Sequence, residues 1–158
     1  MRVLSIDPGY ERLGIAILEK NKNKESLIYS SCFQTDPNLE IKKRLLLLGT
    51  EIKKIIKKHS PDAVAIERLY FNKNHKTAMA TAEAIGVILY EAAKSELDVK
   101  EYTPQEIKVA VTGYGKSDKR QVIDMVKILL KIKGKKALDD EFDAIAVGLT
   151  FFAQNPKS

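Results

Sequence analysis

Four acidic residues, far apart in the chain, occupy positions from which carboxylates can do chemistry. Asp7 and Glu67 each end a short apolar run, and Asp140 and Asp143 lie three residues apart in a late acidic segment. If the apolar runs are strands, Asp7 and Glu67 share one edge of a sheet, where open α/β folds bind their ligands. Asp140 and Asp143 then project from one face of a helix's first turn. Folding could therefore gather three or four carboxylates.

Such a cluster is stable only when something positive fills it, because like charges repel strongly in a partly dry site. Hard divalent cations suit these oxygen ligands, and Mg²⁺ in particular keeps waters and leaves positions for phosphate oxygens. Two ions about 4 Å apart can activate a water and hold the leaving oxygen of an in-line displacement. The chemistry that this predicts is hydrolysis of a phosphodiester.

Each carboxylate also has a simpler structural interpretation. Asp7 precedes a Pro-Gly pair and suits a turn. The acidic run 139–143 suits a helix N-terminus, where it would interact with the macrodipole, with Asp139 as the expected N-cap. Glu67 at the end of an apolar strand needs a partner, and Arg68 could be that partner. Only the combination of all four favours the metal hypothesis.

Length and composition limit the remaining possibilities. With 158 residues, 44% of them hydrophobic, the chain is expected to form one domain over residues 1–154 with a short tail at 155–158. A single cysteine, Cys32, excludes intrachain disulfides and cysteine-based zinc clusters, and two histidines leave little material for histidine chemistry. Without a signal peptide or a membrane-length apolar stretch, we expect a soluble, cytoplasmic protein. The net charge of +6 points weakly toward polyanions.

Apolar periodicity and turn signals predict a mixed α/β fold. Runs 2–6, 14–18 and 26–33 read as three antiparallel strands, and runs 63–67 and 99–103 as two parallel strands. Helices are expected from an N-cap at Asp36 to a stop before Ser60, and at about 75–96, 104–111, 118–131 and 139–153. The prediction is a mixed five-stranded sheet flanked by helices.

At these positions the chain resembles the RuvC-type Holliday junction resolvases. The resemblance rests on Ile6-Asp7-Pro8-Gly9 with Gly14, on Ala65-Ile66-Glu67-Arg68 with Asn72-Lys73-Asn74, on Gly113-x-Gly115 with Lys119 and Gln121-Val122, and on Asp140-x-x-Asp143-Ala144-x-Ala146. These motifs follow in order over nearly the whole chain. The resemblance implies a ribonuclease H-like fold and a homodimer that cuts two opposed strands of a four-way DNA junction during recombination and repair.

The resemblance also implies roles for individual residues. Asp7, Glu67, Asp140 and Asp143 match the catalytic, metal-binding carboxylates of the family, which would hold two Mg²⁺ ions, with Mn²⁺ as a substitute. An aromatic ring that stacks on a base matches Tyr70 or its neighbour Phe71, and Lys108 and Lys119 match basic residues near the scissile phosphates. The family works beside a junction-binding protein and a motor ATPase of the RuvA and RuvB type.

Basic residues and small residues suggest further contacts. Lys116 and Arg120 flank the glycine-rich loop 113–115, and we assign them to DNA phosphates. The lysines at 53–58 close the first helix and are mostly explained by its dipole. Small residues recur at Ala78, Ala82 and Gly86, with Leu89 and Ala93 continuing their helix face. That face is expected either to bury against the sheet or to form a two-fold interface.

Two other functions are compatible with parts of the pattern. An actin-like or sugar-kinase-like phosphotransferase also begins with an Asp-x-Gly hairpin, but it needs two such domains around its nucleotide. A module that binds junctions without cutting them would use the acidic residues as helix caps. A P-loop is excluded, because Ala110 occupies the place of its first glycine.

Overall fold

The computed structural model describes residues 1–22, 24–68, 75–132 and 138–156. The strands of this part of the chain are β1 (Arg2–Asp7), β2 (Arg12–Asn21), β3 (Lys24–Gln34), β4 (Ala63–Glu67) and β5 (Asp98–Tyr102). Its helices are α1 (Ile41–His59), α2 (His75–Lys94), α3 (Pro104–Thr112), α4 (Lys119–Leu129) and α5 (Asp139–Gln154). None of the described helices is long and apolar enough to cross a bilayer.

The strands form one mixed sheet in the order β3-β2-β1-β4-β5. Short connections pair β1 with β2 and β2 with β3 antiparallel, whereas β4 lies parallel to both β1 and β5. The parallel pairs follow from long helical crossovers, since α1 separates β1–β3 from β4 and α2 separates β4 from β5. The predicted arrangement of three antiparallel and two parallel strands is confirmed.

Alternate residues of β1 face two separate hydrophobic cores. Leu4 and Ile6 are buried in a cluster with side chains of α1 and α2. Val3 contributes to a second cluster with α3, α4 and α5 on the other face of the sheet. Because both faces are covered, β1 and β4 read in the sequence as continuous apolar runs. The predicted core stripe of α5 is confirmed, since Phe142, Ile145, Ala146, Leu149 and Phe152 are all buried.

One predicted helix start, that of α1, and one predicted N-cap, Asp139, are wrong. Helix α1 begins at Ile41 after an N-cap position at Glu40, not after Asp36. The Asp36 side chain instead accepts a hydrogen bond from the backbone N–H of Asn38 at 2.9 Å, a local turn that competes with helix initiation. In α5, Leu138 holds the N-cap position and Asp139 is the first helical residue. The domain limit expected after residue 154 stays a prediction.

Gly14 allows α5 to approach the middle of the sheet closely. It pairs with Asp7 in the β1–β2 register. A Cβ atom built at Gly14 would collide with the backbone oxygen of Asp140 and lie 3.2 Å from the Cβ of Asp7. The first turn of α5 therefore rests directly on β2, and this contact brings Asp140 toward Asp7.

We expect Gly14→Ala to destabilise the protein by about 1–3 kcal/mol, since the colliding atom belongs to the backbone of a packed helix and cannot turn away. Urea denaturation followed by circular dichroism measures the change. Lys24→Ala is the control, because Lys24 begins β3 at an exposed position, where removal of the side chain causes no collision. Equal stability of the two variants would contradict the close approach.

Candidate active site

Asp7 and Glu67 end two neighbouring parallel strands. Ile6 pairs with Ile66, so the next residue of each strand lies at the same edge of the sheet, with strand axes about 4.8 Å apart. Successive side chains alternate between faces, which puts both carboxyl groups on the face covered by α5. The two carboxyl groups act on each other electrically, since the charge of Glu67 helps to raise the pKa of Asp7.

Asp140 and Asp143 reach the same edge from the first turn of α5, and each is paired with a cation. Asp140 Oδ2 lies 2.8 Å from an Nη atom of Arg12. Asp143 Oδ2 lies 2.8 Å from Nζ of Lys119, the first residue of α4. All four predicted carboxylates thus come together, since the charges of Glu67, Asp143 and Asp140 all act on Asp7.

Burial and mutual repulsion disturb the ionisation of this cluster. Burial, followed by the charges of Glu67, Asp143 and Asp140, raises the pKa of Asp7 from 3.8 to about 8. Burial and then the charge of Asp143 raise the pKa of Glu67 from 4.5 to about 7, against the opposing effect of Lys119 and Lys108. Burial also raises the pKa of Asp143, although Lys119 opposes it. The site holds more carboxylates than its two paired cations neutralise.

The donor set has the chemistry of a divalent cation site. Among the described residues, no group of three Asp, Glu, His or Cys side chains is arranged to hold an ion as it stands. Arg12 and Lys119 instead neutralise two of the carboxylates. The residues fit a hard cation by donor type and by charge, because a bound cation would relieve the burial and mutual repulsion that raise the pKa values of Asp7 and Glu67.

A cavity of about 200 Å³ opens beside the carboxylates. Glu67, Asp143, Lys108 and Lys119 contribute its charged lining, and Ile107 and Val122 belong to its apolar wall. The cavity therefore presents two cations next to the carboxylates, a pattern suited to a phosphate group that must lie against bound metal.

Two of the other residues predicted to contact DNA lie outside this cavity, and two fall outside the described residues. Lys116 and Arg120 are exposed and do not line this cavity. Arg120 approaches Asp124 of its own helix at 3.9 Å, with 92% of its side chain exposed. Tyr70 and Phe71 fall outside the described residues, as does the Asn72-Lys73-Asn74 segment.

The structure corrects one assignment and adds a residue. Arg68 is not the partner of Glu67, because it pairs with Glu101 of β5 at 3.2 Å. Arg12, the partner of Asp140, was missed in the sequence, where it reads as part of a polar turn. The sequence feature that could have identified it is the alternation of side chains along β2, which places Arg12 on the same face as Gly14, directly beneath α5.

Comparison with known proteins decides the family. Residues 3–151 match the family model of the crossover junction endodeoxyribonuclease RuvC. This chain belongs to the RuvC family. A RuvC of Thermosipho melanesiensis is 46% identical over 147 residues, covering 93% of this chain and 94% of the relative. One of Desulforamulus reducens is 43% identical over 149 residues, covering 94% and 91%.

Solved structures agree with the assignment to RuvC. The chain superimposes on Thermus thermophilus RuvC in complex with a Holliday junction substrate with a TM-score of 0.93, at 28% identity, covering 99% of this chain and 96% of that one. The yeast mitochondrial Holliday junction resolvase Ydc2 shares the fold with a TM-score of 0.75, at 13% identity, covering 98% and 79%. The fold is the ribonuclease H-like fold of these resolvases.

The carboxylate cluster makes metal-free stability fall with pH. The pKa of Asp7 is about 8 in the folded chain and 3.8 ordinarily, so the folded state binds this proton more tightly and loses stability as pH rises between those values. Asp7→Asn removes this loss. We expect the variant's advantage in free energy of unfolding to grow between pH 5 and pH 8.5 by at least about 1.4 kcal/mol, the equivalent of one pKa unit.

Urea denaturation in a chelator at both pH values measures the effect. Asp98→Asn, at an exposed aspartate that begins β5 at the far end of the sheet, is the control and should follow the native chain. If Asp7→Asn raises the free energy of unfolding by the same amount at both pH values, the raised pKa of Asp7 is contradicted.

Proposed function

We propose that this protein cuts four-way DNA junctions by hydrolysing one phosphodiester in each of two opposed strands, with Mg²⁺ as cofactor. Members of the RuvC family are metal-dependent crossover junction endonucleases, and the T. thermophilus relative was solved on a Holliday junction. The observation that carries the proposal for this chain is the convergence of Asp7, Glu67, Asp140 and Asp143 beside a cavity lined by lysines.

In this proposal the four carboxylates hold two Mg²⁺ ions, for which Mn²⁺ can substitute. Bound there, the ions would supply Lewis-acid activation of a water and stabilise the leaving oxygen. The water oxygen forms the new bond to phosphorus, the bond to the 3′ oxygen breaks, and that oxygen takes up a proton. The products are a 3′-hydroxyl and a 5′-phosphate, which a ligase can rejoin.

The protein's own residues prepare this site. Lys108 and Lys119 line the cavity with Glu67, so their positive charges can bind and orient the phosphate that is to be cut. The pKa values of Asp7 and Glu67 are raised to about 8 and about 7, so metal binding would release protons from these carboxyl groups and strengthen as pH rises. Arg12 pairs with the Asp140 carboxylate at 2.8 Å.

The remaining assignments extend the same proposal. Lys116 follows the glycine-rich loop and Arg120 lies in the first turn of α4. Both are exposed, and phosphate contacts there would strengthen binding without selecting sequence. Base stacking by Tyr70 or Phe71 stays a prediction. So do the partners of the RuvA and RuvB type and the cytoplasmic location.

Asp7→Asn should abolish cutting while preserving the fold and the binding of junctions, since it removes a ligand and leaves the basic surface intact. The assay measures nicking of a synthetic four-way junction with Mg²⁺, and binding in EDTA by gel shift. Asp98→Asn is the matched control and should cut like the native chain. We expect a loss of at least about 10²-fold, as for removal of one essential electrostatic group in other sites.

Linear duplex DNA and chelated metal complete this experiment. Cutting of the junction by Asp7→Asn at the native rate would remove Asp7 from the site. Tight junction binding by the native chain without any nicking would favour a module that binds junctions without cutting.

We also propose that α2 forms the contact between two copies of the chain. Ala82, Gly86 and Ala93 of the predicted small-residue face are exposed, whereas Ala78 is buried. The expectation that the whole face buries against the sheet is therefore wrong. Met79 and Tyr90, 64% and 62% exposed, extend the exposed part. A small, partly apolar helix face allows the close approach that a two-fold axis requires.

Gly86→Arg should convert the dimer to a monomer that keeps its fold, because the long charged side chain prevents close approach of the two helices. Sedimentation equilibrium measures the mass, and circular dichroism checks the helix content. Gln105→Arg, at an exposed position of α3, is the control and should stay dimeric. A Gly86→Arg variant with the mass of a dimer would place the interface elsewhere.

A further inference from the structure

Helix α1 accounts for the whole net charge of the protein. The chain has 27 Lys and Arg against 21 Asp and Glu. Residues 41–59 contain seven of those basic residues and one acidic residue, Glu51, so the rest of the chain has twenty of each sign. An excess of +6 on one helix is a strong local field, whereas the remaining surface is balanced.

The six lysines of α1 form two rows on one side of the helix. They recur at spacings of eleven and four residues, which are close to whole numbers of helical turns. One row is Lys42, Lys53 and Lys57, and the other is Lys43, Lys54 and Lys58; all six side chains are exposed. We call these six residues the lysine track. Each row is 15 residues long, about 23 Å at 1.5 Å per residue.

Most of the lysine track is unneutralised. Lys42 pairs with Glu40 at 2.9 Å and Lys54 with Glu51 at 3.3 Å. Within the described residues, Lys43, Lys53, Lys57 and Lys58 have no carboxylate within ion-pair distance. The helix dipole stabilises cations only in the last turn. It accounts for Lys57 and Lys58 and leaves Lys42, Lys43 and Lys53 unexplained.

The lysine track begins at the catalytic edge and runs away from it. Near the start of α1, Arg44 bonds to Thr35 and to the backbone oxygen of Tyr10, both of which lie beside the end of β1 that carries Asp7. At the other end of α1, the backbone oxygen of His59 accepts a hydrogen bond from Arg2 at the start of β1. The track therefore spans the sheet from its active edge to its opposite edge.

We infer that the lysine track binds the phosphates of a duplex arm leaving the junction. This inference rests on the proposed function, in which the substrate is branched DNA whose arms extend past the active edge. A straight row of cations about 23 Å long matches about seven base pairs at 3.4 Å each. Lysines that contact phosphates give affinity without reading sequence, so the track lengthens the footprint without changing where the enzyme cuts.

The test compares junctions with short and long arms. Hairpin-closed arms of about 4 base pairs, about 14 Å long, end before the distal lysines, whereas arms of about 25 base pairs pass them. The variant Lys53→Gln/Lys57→Gln removes two distal, unpaired cations and keeps good helix formers. On long arms in EDTA, we expect the slope of log K against log salt concentration to fall by about 1.8, at about 0.9 for each lost contact. On short arms the slope should match that of the native chain.

Controls separate this inference from the proposed function. Lys94→Gln/Lys100→Gln removes two exposed lysines outside α1 and should keep the native slope on both substrates. With Mg²⁺, both variants should cut the short-armed junction at the rate of the native chain. If the native chain itself does not cut this junction, the proposed function is overturned instead.

Two results would overturn the inference. One is a long-arm slope that Lys53→Gln/Lys57→Gln leaves unchanged, and the other is an equal fall on short and long arms. If the long-arm slope is unchanged but Lys53→Gln/Lys57→Gln loses binding to vesicles that contain the anionic lipid phosphatidylserine, the lysine track binds a membrane surface rather than DNA.

Discussion

Mutual repulsion among four carboxylates is the constraint on which this structure depends. Two of them are held at the ends of adjacent strands, where burial keeps water from screening them, and their pKa values rise to about 8 and about 7. The other two are tolerated because Arg12 and Lys119 lie against them. A protein does not retain such an arrangement for its stability, since buried like charges oppose folding. The arrangement becomes energetically favourable only when cations bind among the carboxylates.

The fold supplies the positions that this cluster needs. Parallel pairing of β1 with β4 fixes the spacing of Asp7 and Glu67, and the two-residue period of strands directs both toward α5. Because Gly14 has no side chain, the first turn of α5 can approach the sheet closely. The lysine next to Asp143 begins α4, where the capping box of Asp118 and Gln121 fixes the helix start. Distant segments are thus brought to one edge by backbone geometry.

Much of this arrangement could be predicted from the sequence, and the failures have physical causes. Apolar runs gave the strands and their mixed pairing, and a carboxylate after an apolar strand identified Glu67. The start of α1 was misplaced because Asp36 forms a local turn that resembles a cap. Arg12 was missed, since its partner is 128 residues away and the period of β2 becomes informative only once β2 is known to lie beneath α5. The exposure of Gly86 likewise depends on how α2 lies on the sheet, which helical spacing alone does not determine.

The burial of α5 has a consequence for how the nuclease can adapt. Ten of its residues, from Phe142 to Phe152, are enclosed, and Gly148 leaves so little room that a Cβ there would lie 2.7 Å from Leu18 and 2.8 Å from Ser5. The helix that carries Asp140 and Asp143 is therefore tightly packed against the sheet. Any adjustment to a distorted substrate has to come from the DNA or from the surrounding loops, so the protein acts as a rigid template to which the junction conforms.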